Sequence, residues 1–110
     1  MRKLLAALCL LSILHGACGT PVPPDKAAYV GEWRSTIMAL SITQGGSVSY
    51  RRREGNKRTS INAPLKSFKG NDFEVGVGPA STVFVVSVTP HIDGGVWKMT
   101  VDGVELSRPR

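Results

Sequence analysis

The most concentrated chemistry in this sequence is cationic: Arg51-Arg52-Arg53 and Lys57-Arg58 place five positive charges within eight residues, with Glu54 the only acid among them. A guanidinium is a planar fork of donors that takes a carboxylate or phosphate through two parallel hydrogen bonds, so a site built from these residues would bind anions. Tyr50 adds the one aromatic ring beside the run. Grooves that track single-stranded nucleic acid interleave several aromatics with their cations, and a lone tyrosine argues against a nucleic-acid partner. Arg52, Arg53, Arg58 and Tyr50 are therefore the candidate ligand-binding residues. The plainer alternative is a solvated hairpin tip, with Glu54 paired to Lys57 and the arginines discouraging edge-to-edge aggregation.

Catalytic chemistry has less to stand on. His91 lies in Thr89-Pro90-His91-Ile92-Asp93-Gly94-Gly95, which reads as a loop. With no cysteine or second histidine beside it, His91 and Asp93 make a poor zinc site. The chain has no Gly-x-Ser-x-Gly elbow, no phosphate-cradling glycine-rich loop and no Cys–His pair, so no metal or cofactor is expected and the protein is read as a non-enzyme. Asp72 and Glu74 alternate with Phe73 and Val75, which places the two acids on an outer face.

The elements that position the arginines are strands. Asp25 is placed to cap a short helical turn through Val30, with Gly31 ending it. From Trp33 onward apolar residues recur with period two: Met38, Leu40 and Ile42, then segments 47–53, 58–68, 72–77, 81–89, 96–101 and 104–107. That makes seven or eight strands. Hairpin loops fix their register. Asp102-Gly103 as a two-residue loop sets Val101 against Val104, Met99 against Leu106 and Trp97 against Arg108. Gln44-Gly45-Gly46 as a three-residue loop sets Ile42 against Val48 and Leu40 against Tyr50. Gly55-Asn56 sets Tyr50 against Ile61, Arg52 against Thr59 and Arg53 against Arg58, so Arg52 points inward near the barrel mouth while two like charges face each other beside it. Gly70-Asn71 sets Phe68 against Phe73 but mismatches Lys66 with Val75, which predicts a bulge or break near Pro64.

Short antiparallel strands with one apolar face and no covering helices bury that face by curling into a barrel. The expected fold is all-β, a small antiparallel up-and-down barrel, its core filled by Trp33, Tyr50, Phe68, Phe73, Phe84 and Trp97.

The N-terminus carries a different chemistry. Met1-Arg2-Lys3 precedes an apolar run from Leu4 to Leu14 broken only by Ser12, then Gly16, Ala17, Cys18 and Gly19, the order of an export signal. Eleven residues are too few to cross a bilayer, which takes about twenty. Arg2 and Lys3 belong to this leader, so twelve of the fourteen basic residues remain against eight acidic ones, a mildly basic +4. Gly16-Ala17-Cys18 resembles the end of a bacterial lipobox, which implies cleavage before Cys18 and a lipid on its sulfur; His15 stands where that pattern has an aliphatic residue. Cleavage by an ordinary signal peptidase after Ala17 or Gly19 would instead release a soluble product, and the former would leave one unpaired thiol in an oxidising compartment. Lipidation is the favoured reading. The chain then divides into a signal segment (1–19), a linker and short helical turn (20–30), and a barrel domain (31–110). Its expected location is the outer membrane or periplasm of a bacterium, anchored through Cys18.

At Gly31-Glu32-Trp33 the short turn followed by Gly-x-Trp at the head of the first strand resembles the start of lipocalin-like barrels. That resemblance implies a basic residue near the last strand packed over Trp33 to close the barrel, and Arg108 is the residue in position. Ala63-Pro64-Leu65-Lys66, Asp72-Phe73-Glu74-Val75-Gly76, Gly78-Pro79 and the stretch 97–106 look like a family of small exported bacterial proteins of unassigned function. The function expected is binding of an amphipathic or anionic envelope component. The alternative is a protein-interaction or inhibitor module that engages another envelope protein.

Overall fold

The computed structural model describes residues 19–109; Cys18 and the leader before it lie outside the described residues. Nine antiparallel strands form one sheet: β1 (Gly31–Arg34), β2 (Met38–Ile42), β3 (Ser47–Glu54), β4 (Lys57–Lys69), β5 (Asp72–Val77), β6 (Ala80–Phe84), β7 (Val86–Asp93), β8 (Val96–Val101) and β9 (Val104–Ser107). Their order is β6-β5-β4-β3-β2-β1-β9-β8-β7, curled into a half-barrel. Consecutive strands are neighbours throughout, with one exception. β6 and β7 are the two ends of the sheet. The all-β barrel-like architecture is the expected one.

The count of nine arises from two places where a continuous alternating run is broken by a side chain. Ser35 Oγ accepts the N–H groups of Ile37 and Met38 at 3.2 and 3.0 Å, reversing the chain so that β1 pairs with β2. In the run 81–89, Val85 leaves β6 and crosses to the β8–β9 turn. Its N–H donates to Asp102 Oδ1 at 2.8 Å and its carbonyl accepts the Asp102 N–H at 2.8 Å. Asp72 Oδ1 accepts the N–H of Val86 at 2.8 Å. Two aspartates thus hold the seam where the chain crosses from β6 to β7.

The turn-derived registers are present: Val101 opposite Val104, Ile42 opposite Val48, Tyr50 opposite Ile61 and Phe68 opposite Phe73. The irregularity expected near Pro64 falls between Leu65 and Ser67, which brings Leu65 opposite Val75 and keeps both in the core. Trp33, Phe73, Met99, Val101 and Leu106 are wholly buried, and each such side chain contributes about 1.5–3 kcal/mol by leaving water. Tyr50 and Phe84 pack ring to ring at 4.8 Å, and Phe68 and Trp97 sit partly exposed on the rim.

Two N-terminal expectations are revised. The short turn is a 3₁₀ helix, Pro24–Tyr29, that begins one residue before Asp25; Asp25 makes no capping bond and lies in the first turn. Pro24 opens the helix because its missing N–H would have no partner there. Residues 20–22 are not a free tether. Thr20 N–H donates to the Leu65 carbonyl at 3.0 Å, Val22 N–H to the Gln44 carbonyl at 2.9 Å, and Gln44 Nε2 returns to the Val22 carbonyl at 2.8 Å. Val22 itself is a core residue.

Candidate functional site: an arginine-lined groove

Cross-strand partners share a face, and the register sorts the cations accordingly. Leu40, Tyr50 and Ile61 form an inward row, as do Met38, Arg52 and Thr59. Arg34, Ala39, Arg51 and Ser60 form an outward row, and beside it Arg53 faces Arg58. Ile37 joins Arg53 because the Arg53 N–H donates to the Ile37 carbonyl at 2.9 Å. Alternation therefore divides the cationic run into Arg52 on one side and Arg51 and Arg53 on the other.

Between the β1–β2 turn and the β3–β4 hairpin lies a hollow of about 380 Å³. Arg34, Arg51, Arg53 and Arg58 line it together with Ile37, Ala39 and Ser60, and Met38 and Arg52 reach its margin. Two further hollows continue along β2 and β3, one sharing Arg34, Ala39 and Arg51 with the first, the next floored by Ser41, Ser47, Ser49 and Asn62. Small side chains on the outer face leave this room; the four arginines give it its charge.

The ion pairing of the hairpin differs from the one expected. Glu54 bonds Arg52 at 3.1 Å rather than Lys57. Burial works against the Arg52 charge, but Tyr50 and Glu54 outweigh it and hold its pKa above the ordinary arginine value. Arg52 Nε is buried with no hydrogen-bond partner. Arg34 pairs with Glu32 at 3.0 Å, while Arg51, Arg53 and Arg58 have no ion-pair partner among the described residues. Of the four ligand-binding candidates, Arg53 and Arg58 face the groove and Arg52 borders it. Tyr50 is core and does not reach it. Arg34 and Arg51 are the residues sequence reasoning left out of the site. Arg51 shares the outward parity of Arg53 and could have been found from it; Arg34 required the position of the Ser35 turn.

Three other groups lie outside the groove, and of these only His91 departs from expectation. His91 lies within β7 rather than a loop, its Nδ1–H donating to the Thr89 carbonyl at 2.8 Å. Glu74 is enmeshed on the outer face: Ser81 donates to it at 2.6 Å and Lys69 and Lys66 approach at 3.4 and 4.0 Å. These contacts, the Ser81 bond foremost, hold its carboxyl below the ordinary range. Arg108 lies 4.7 Å from the Trp33 ring and 4.9 Å from that of Trp97, a guanidinium between two indoles. It donates to the carbonyls of Ala28 and Val30, so it ties the helical turn to the last strand. No family model, curated protein or solved structure matches this chain.

Proposed function

We propose that the protein is an exported, non-catalytic binding domain that takes an anionic group of an envelope component in the groove lined by Arg34, Arg51, Arg53 and Arg58. The observation that carries this reading is the direct opposition of Arg53 and Arg58, two like charges without carboxylate partners among the described residues, at the rim of a hollow. Such an arrangement is mildly destabilising until an anion relieves it. A phosphate or carboxylate bridging the two would gain charge-assisted hydrogen bonds from both. The inner face is occupied by packed aromatic and aliphatic side chains, which favours an anionic ligand on the outer face over an amphipathic one within the barrel.

Isothermal titration of the purified domain with inorganic polyphosphate tests the reading. Binding is expected to weaken steeply with added salt, as screening shortens the reach of exposed charges. The double variant Arg53→Ala/Arg58→Ala is expected to lose at least tenfold in affinity while folding normally. Unchanged affinity in that variant would sink the proposal.

On the same reading, the leader exports the chain and Cys18 carries a lipid. Intact-mass analysis of the protein from its host checks this: a diacylglyceryl-sized addition on Cys18 supports anchorage, and an unmodified N-terminus after cleavage removes it.

A further inference from the structure

The two ends of the half-barrel are unequal. β7 is guarded: Pro90 lies within it, its pairing with β8 shifts register twice, and Asp93 closes it. Each of these devices spoils a strand as a template for another chain. β6 has none of them. It pairs with β5 in regular register over five residue pairs, Phe73 with Phe84 through Val77 with Ala80, and among the described residues no strand lies on its other side. Alternate residues of such a strand direct their N–H and C=O groups away from the sheet. Ala80, Ser81, Thr82 and Val83 are all exposed.

Two more observations converge on this edge. From Val75 to Ile92 the chain holds no Asp, Glu, Lys or Arg, although charged residues are a fifth of the sequence. Among the described residues, five of the six large apolar side chains that are exposed, Val77, Val83, Val85, Val88 and Ile92, lie on β5, β6, β7 or the crossing between β6 and β7. An uncharged, apolar-flanked, unpaired strand is a surface for backbone pairing with another strand.

We propose that β6 is a dimerisation edge, at which a second copy of this chain adds its own β6 antiparallel across a two-fold axis. The occupant follows from charge. Without the two basic residues of the leader, basic residues outnumber acidic ones twelve to eight, so two copies repel over most of their surface and meet with least cost at this uncharged edge, which is its own complement under a two-fold axis. A two-fold axis at Thr82 sets Thr82 opposite its own copy, Ser81 opposite Val83 and Ala80 opposite Phe84. Threonine opposite threonine is a favourable cross-strand pair, and no like charges are opposed. The joined sheets leave β1–β4 free, so a dimer displays two arginine grooves and gains avidity toward any ligand with repeated anionic groups. The edge itself is independent of that reading and stands if the groove binds nothing.

The test uses the exported protein bearing Cys18→Ser, so that no lipid or detergent intervenes. The interface is small, so in sedimentation equilibrium the average mass is expected to rise from monomer toward dimer between about 10 μM and 1 mM. Thr82→Lys sets two ammonium groups face to face and is expected to hold the protein at monomer mass; Arg53→Ala leaves the mass profile unchanged. Amide hydrogen exchange on the unsubstituted chain gives a readout independent of how the variant folds: β6 amides slow with concentration and β7 amides do not. Monomer mass throughout, a dimer indifferent to Thr82→Lys, or β6 exchange independent of concentration would each overturn the proposal.

Discussion

Arg108 shows how much one side chain can organise. Its guanidinium lies between Trp33 and Trp97 while its N–H groups reach Ala28 and Val30 carbonyls, joining the last strand to the turn before the first. Burial lowers its pKa, yet guanidinium remains charged at any pH the protein meets. An ammonium keeps the charge but loses the plane that stacks and the fork that bonds. Arg108→Lys is therefore expected to cost about 2–3 kcal/mol in urea denaturation, the sum of a weakened stack against the two indoles and a lost charge-assisted bond. Half of this site was legible: the Gly-x-Trp start implied a basic residue over Trp33, and the Asp102-Gly103 register set Arg108 beside Trp97. The carbonyl partners were not, because backbone acceptors leave no trace in residue type. Glu74 makes a pH prediction. Its pKa is depressed in the fold, so the stability it contributes is complete above the ordinary glutamate value near 4.5 and disappears as pH falls through the lower folded value. Glu74→Gln is expected to flatten the acid limb of the stability profile over that interval and to leave its neutral portion parallel to that of the unsubstituted protein.

At the scale of elements, the fold depends on how its two irregular ends are tied. The seam rests on Asp72 and Asp102, each accepting one backbone N–H of the crossing residues Val85 and Val86. Asp102 also adopts φ 49° ahead of Gly103 at φ 80°, the left-handed pair that a two-residue hairpin turn requires. Asp102→Ala leaves an N–H unpaired and strains the turn, and is expected to destabilise by about 2 kcal/mol; Asp102→Asn, which keeps an acceptor oxygen and tolerates positive φ, restores most of it. Thermal unfolding of the three proteins separates those outcomes. The hairpins on either side were readable because loop length and apolar alternation agreed at each turn. The seam was not, since Val83 to Val86 is an unbroken apolar run and the acceptors that break the strand there, Asp72 and Asp102, lie elsewhere in the sequence. The N-terminal strap escaped for a related reason. Pro21, Pro23 and Pro24 look like linker, while the contact that fixes the strap is a pair of glycines: a Cβ on Gly46 would lie 2.2 Å from the Thr20 carbonyl oxygen and one on Gly19 2.2 Å from that of Gly46.

For the whole molecule, the strap and the groove stand at opposite poles. Gly19 lies against Gly46, just before β3, while Arg53 stands near the far end of that 8-residue strand with Arg58 opposite it on β4, roughly 25 Å away at strand rise. A lipid on Cys18 would adjoin Gly19 directly, with no slack between membrane and domain, so the β2–β3 turn would rest near the bilayer and the β3–β4 hairpin would project from it. So anchored, the groove would meet ligands that come from the space beyond the anchoring leaflet. Fluorophores placed singly at Gly45 and Asn56, both in exposed turns, report on that orientation. In zwitterionic vesicles bearing the lipidated protein and a headgroup quencher, the label at position 45 is expected to be strongly quenched and the label at position 56 to stay bright. Neutral headgroups exclude a pull on the arginines, so equal quenching would mean that the domain lies flat, with its groove against the membrane that anchors it.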